Sequence, residues 1–193
     1  MKLAIAVICV FVSLVLTGCK QSKLADTTAD SVDVIVEDDG QFPKSLAGRW
    51  KAEGDSGWEF VFNPDGTISS CVTFIGRTRL VPGEVTKVST KRGGKGESTP
   101  GEWTVEYDPK VRELEVVITL EHFYQEMGDN SVEGSSTDMF IGKISQNEEE
   151  WIATWYSFPI FTAYTDQRYD LPVDPNNNPK DILTFKKIAS KED

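Results

Sequence analysis

The chain has one histidine, three cysteines, few positive charges and no apolar run long enough to cross a membrane. Each shortage excludes something. With His122 as the sole imidazole, a zinc site or a histidine-based proton relay has almost nothing to draw on. Lysine and arginine number 20 against 31 aspartates and glutamates, a net charge of −11. A surface this acidic repels phosphate backbones, so nucleic acid is not an expected partner. Beyond the N-terminal segment no window repeats with a helical period, which leaves strands as the building material.

What is present begins at the N-terminus. Met1-Lys2 is a short positive start, and Leu3 to Leu16 is apolar except for Ser13. Such a stretch, closed by small residues, predicts a secretory signal over residues 1–18. It is too short for a bilayer core, which needs ~20 residues. The exit, Leu16-Thr17-Gly18-Cys19, resembles the lipobox of bacterial lipoproteins. The resemblance implies cleavage after Gly18, diacylglycerol on the Cys19 sulfur and an acyl chain such as palmitate on its amine. Two or more chains anchor a protein stably, because each buried CH2 contributes ~0.8 kcal/mol. The expected partner is therefore a membrane, reached through the acyl chains on Cys19, and the expected location is the cell envelope. In enterobacterial lipoproteins an Asp after the cysteine favours inner-membrane retention. Lys20 stands there, which leans towards the outer membrane, facing the periplasm or the surface.

Removing residues 1–18 takes away Cys9 and one charge, Lys2. With Cys19 acylated, Cys71 is left without a disulfide partner. It reads as a small, partly buried strand residue. Residues 19–44 read as an acidic tether, with Asp26, Asp30, Asp33, Glu37, Asp38 and Asp39 among few large apolar side chains. Val32 to Val36 could form a short edge strand, but a flexible spacer is the favoured reading.

Residues 45–190 form the expected domain. Trp58, Phe60 and Phe62 share one face of a strand. Asn63-Pro64-Asp65-Gly66 then turns the chain, because Pro64 presets φ and Gly66 accepts a positive one. Ile68, Val72 and Phe74 continue one face. Arg77 to Thr90 is a weaker strand region, and Lys91 to Gly96 reads as a mobile basic loop. Trp103, Val105 and Tyr107 alternate, as do Leu114, Val116, Ile118 and Leu120. Gln125 to Ser136 reads as a loop. Asp138 to Ile144 and Trp151 to Phe158 form another hairpin, and Ile182 to Ile188 closes the chain. Pro159 to Lys180 is expected to be irregular. Short strands and turns at this spacing predict an all-β protein, an antiparallel up-and-down β-barrel of about eight strands.

Several chemical motifs fail on inspection. Gly54-Asp55-Ser56-Gly57 echoes the nucleophile of trypsin-like proteases, but His122 follows that serine instead of preceding it. Gly93-Gly94-Lys95-Gly96 lacks the Gly-Lys-Ser/Thr triplet and the following helix of a phosphate loop. Asp174, Asn176 and Asn178 alternate like a calcium loop, but Pro175 and Pro179 interrupt them and no glutamate completes the pattern. Glu148-Glu149-Glu150 and the acids around Glu113 read as a solvated face. The expectation is a noncatalytic protein with no cofactor and no metal.

One constellation holds. Leu46-Ala47-Gly48-Arg49-Trp50 opens the domain, Asp65-Gly66-Thr67 marks the second turn, Gly101-Glu102-Trp103 follows, and Leu183-Thr184-Phe185-Lys186-Lys187 ends it. This order resembles the lipocalin-like domains of exported bacterial lipoproteins, with Gly48 and Trp50 matching the structural Gly-x-Trp of a lipocalin first strand. Lys186 and Lys187 are candidates for the late basic residue that packs over that Trp. The resemblance implies a barrel able to hold a small apolar ligand, and the expected function is to bind such a ligand or to contact an envelope component. Phe158, Phe161, Tyr164 and Tyr169 are expected to form a lid over its opening, with Trp155 beneath. The alternative is a barrel filled by its own aromatics, acting as a structural or inhibitory protein-interaction domain.

Overall fold

A computed structural model describes residues 32–73, 78–89, 94–164 and 180–189. The signal segment, Cys19, Phe74 and Tyr169 lie outside the described residues. Eleven strands form one sheet. They are β1 (Val32–Val36), β2 (Gly48–Ala52), β3 (Glu59–Phe62), β4 (Ile68–Val72), β5 (Arg79–Leu80), β6 (Thr86–Ser89), β7 (Lys95–Asp108), β8 (Glu113–Met127), β9 (Asn130–Ile144), β10 (Glu150–Tyr164) and β11 (Lys180–Ile188). No α-helix occurs among the described residues.

Ten strands follow a single path, β1-β7-β8-β9-β10-β11-β2-β3-β4-β5, and β6 joins β7 beside β1. Every pairing is antiparallel except β1 with β7. The sheet is curled into an open half-barrel: among the described residues no ladder joins β5 to β1 or β6. Its inner face carries the alternation read from the sequence, with Trp103, Val105, Leu114, Val116, Ile118, Phe140, Trp151 and Phe185 all buried.

Several expectations change. Val32–Val36, read as part of a spacer, is a strand: it pairs with Trp103 to Tyr107, and Phe42 after it is buried. This segment has few large side chains but they are well placed: Val32, Val34 and Val36 all pack against the core. Gln125 to Ser136 is not a loop but the continuation of β8 and β9, which turn tightly at Gly128 with φ 69°. Ladder bonds come from the backbone, so polar outward side chains do not prevent a strand while Phe123 and Val132 stay inward. Pro159 to Tyr164 likewise belongs to β10. Among the described residues the part of β10 beyond Tyr156 pairs only with β9, and proline is tolerated on such an edge.

One end of the half-barrel is closed. Trp50 is 1% exposed, and its Nε1 donates to the Leu46 carbonyl at 2.8 Å. Phe42 packs on Phe62 and Tyr107, each with ring centroids 6.0 Å away. Gly66, at φ 91°, leaves room for this ring: a Cβ there would lie 2.7 Å from Phe42. Lys187 is the register partner of Trp50, and its ammonium donates to the Ser45 carbonyl. The middle is filled by aromatics, with Trp151 stacked on Phe185 at 4.7 Å and Phe60 edge-on to Phe140 at 5.1 Å.

The curl has an identifiable cause in β9. Gly134 and Gly142 share the inward parity of Val132, Phe140 and Ile144. A Cβ at Gly142 would sit 1.9 Å from the Ile152 carbonyl oxygen, and one at Gly134 would sit 2.1 Å from that of Ile160. Glycine at such points lets neighbouring backbones close up where a sheet bends sharply. Bulges in β7, β8 and β10 lie towards the opposite end from Trp50, between Pro100 and Trp103, Leu120 and Phe123, and Phe161 and Ala163. Extra residues of this kind increase local twist and re-aim side chains at barrel rims.

Candidate functional site

At the end opposite Trp50 the aromatic filling stops. Its last layer is Trp58, edge-on to Phe140 at 4.8 Å and to Trp155 at 5.8 Å. Above that layer lies a cavity of about 330 Å³. The register explains its walls. Ile118, Asp138 and Ser157 form one row across β8, β9 and β10; Leu120, Ser136 and Pro159 form the next; Phe123, Gly134 and Phe161 form the last. The bulge between Leu120 and Phe123 inserts one residue, so both side chains face inward although they are three apart. Phe161 meets Phe123 edge-on at 6.1 Å, and Thr73 closes the side nearest β4.

Among the described residues one charge-bearing side chain lines this apolar space. Asp138 is 7% exposed. Trp155 Nε1 donates to its Oδ1 at 2.9 Å, Ser136 Oγ donates to Oδ2 at 3.4 Å, and Ser157 supplies a further hydrogen bond. Burial raises its pKa above the ordinary carboxylate value, and the hydrogen bonds from Ser157, Trp155 and Ser136 offset only part of that rise. Cys71, buried on β4, feels the same environment: desolvation first, then the charge of Asp138, push its thiol up, so it is no nucleophile.

The expected site residues divide. Trp155 and Phe161 line the cavity. Phe158 does not; it is 37% exposed, because odd-numbered Trp155, Ser157, Pro159 and Phe161 take the inner face and Phe158 falls between them. Tyr164 ends β10, paired in register with Val132. Asp138, Ser136 and Leu120 went unnoticed in the sequence as site residues. A signal for them existed: counted in twos from Phe140, Asp138 and Ser136 must share its inward face, which puts an acid where apolar residues belong.

On the outer face a second acid is enclosed differently. Glu59 is 5% exposed and is gripped by Arg49 through two hydrogen bonds of 2.7 Å, with Arg79 at 3.6 Å. Paired this way it braces β2 and β3 from outside. Among the described residues no cluster of His, Cys, Asp and Glu is arranged to hold a metal. No family model, curated protein or solved structure matches the chain.

Proposed function

We propose that this chain is a lipid-anchored, noncatalytic protein of the cell envelope. In this reading its half-barrel acts as a lipocalin-like calyx that binds a small apolar ligand. The observation that carries it is the cavity at the end opposite Trp50. About 330 Å³ is within the range of small-molecule sites, and the lining of Trp58, Leu120, Phe123, Trp155, Pro159 and Phe161 is of the kind such sites use, with few polar groups to fix orientation. Aromatics fill the middle and the closed end, so a wholly filled barrel acting only through its loops would have to leave this space without purpose. The anchor is supported by the apolar segment and Leu16-Thr17-Gly18-Cys19.

Native mass spectrometry of the gently extracted protein tests the reading. The wild-type chain is expected to carry a small-molecule adduct, or to bind an apolar fluorescent probe. Ser157→Phe, which places a ring in the cavity, should abolish both while the melting profile persists. A wild-type chain free of adduct and indifferent to the probe overturns the reading.

A further inference from the structure

We propose that the occupant of this cavity is an organic amine: an aromatic or aliphatic body lying against Leu120, Phe123, Pro159 and Phe161, with its ammonium on the carboxylate of Asp138. The proposal rests on the ligand-binding reading above and adds the chemistry of the ligand. It stands on three observations. Asp138 is enclosed at the cavity wall, yet among the described residues no Lys, Arg or His comes within ion-pair distance of it. Glu59, the other enclosed acid, is held by arginine. When ionised, a buried carboxylate served by neutral donors carries a charge that no described residue cancels, and a ligand cation would do so.

Second, the acceptor count leaves room. A carboxylate offers about four lone-pair sites, and Trp155, Ser136 and Ser157 use three. No described residue uses the fourth, which a ligand N–H could take. The three donors also fix the carboxylate, so a ligand would meet a preset acceptor.

Third, the walls suit a cation. Trp58, Phe123, Trp155 and Phe161 all line the space, and their ring faces are electron-rich. The same wall disfavours a fatty-acid carboxylate, which would bring a second negative charge against Asp138. A neutral alcohol could form the hydrogen bond but would leave the charge uncancelled.

Three compounds of one shape separate these cases on the full chain: 2-phenylethylamine, 2-phenylethanol and 3-phenylpropionate. Titration at pH 7.5 is followed by calorimetry and by the fluorescence of Trp58 and Trp155. The amine should bind ~tenfold or more tightly than the alcohol, as expected when a cationic donor replaces a neutral one on the same carboxylate. The carboxylate should bind weakest. Asp138→Asn, which preserves shape and the acceptor for Trp155, should erase the preference for the amine and leave alcohol affinity within about threefold, since only the charge term is removed. If alcohol or carboxylate equals the amine in the wild type, or if Asp138→Asn keeps the preference, the amine assignment is overturned while the apolar-ligand reading stands. If none of the three binds, that reading falls too. The wild-type series decides the question even if the variant does not fold.

Discussion

Trp50 offers the sharpest test of how the closed end is built. Its indole is 1% exposed, and its Nε1 is bonded to the Leu46 carbonyl at 2.8 Å. Two losses can be separated. Trp50→Ala empties the space and removes the bond, which should cost ~3–5 kcal/mol, the usual range for deleting a buried large aromatic. Trp50→Phe keeps most of the ring but leaves the Leu46 carbonyl without its partner, a loss of ~1–3 kcal/mol. For a domain of this size, 1 kcal/mol moves the melting temperature by ~2–4 °C, so the alanine variant should melt ~6–20 °C below wild type, with phenylalanine between them. Far-ultraviolet circular dichroism during heating, with urea unfolding as a cross-check, measures both. An alanine variant that melts within ~2 °C of wild type would refute the reasoning, because no enclosed indole can be removed so cheaply.

Asp138→Asn should also change the pH dependence of stability. The folded pKa of Asp138 lies above its ordinary 3.8, so its contribution is full below that value and is lost as pH rises through the folded pKa. The Asn variant should therefore gain on wild type from pH ~4 upwards in thermal melts, and a gain that shrinks with rising pH contradicts the burial argument. Gly142→Ala, whose Cβ would meet the Ile152 carbonyl oxygen at 1.9 Å, should lose ~1–3 kcal/mol or more in urea unfolding through overpacking against β10. An unchanged midpoint would mean that the curl does not depend on that close approach. Cys19→Ala should release the protein from the membrane fraction; if the signal-cleaved variant still sediments with membranes, the lipoprotein reading is wrong.

Local chemistry was legible in the sequence. The turn at Asn63 to Thr67 has the expected hydrogen bonds, from Thr67 to the Asp65 carboxylate and from the Gly66 amide to the Asn63 carbonyl, because neighbours in sequence supply every group involved. The period-two face from Leu114 to Leu120 was equally plain. Pairing between distant segments was not. Nothing in Val32–Val36 announces a parallel partner as remote as Trp103 to Tyr107, since parallel register depends on where the intervening chain has led. The candidate site was half visible. Trp155 and Phe161 stand out as aromatics, whereas Asp138 sits in a polar run and is conspicuous only when counted in twos from Phe140. Phe158 shows the converse: aromatic character suggests the cavity, but parity turns it outward.

The parallel pairing of β1 with β7 has a mechanical side. A pull on Val32 from its N-terminal side acts along the axis of β1. The ladder from Val32 to Val36 then meets the load in shear, with its bonds strained together instead of being unzipped one at a time. The force passes into β7, whereas the cavity is walled chiefly by β8, β9 and β10 on the far side of that strand. Tension directed along β1 would thus load the sheet edge before the ring of side chains around Asp138.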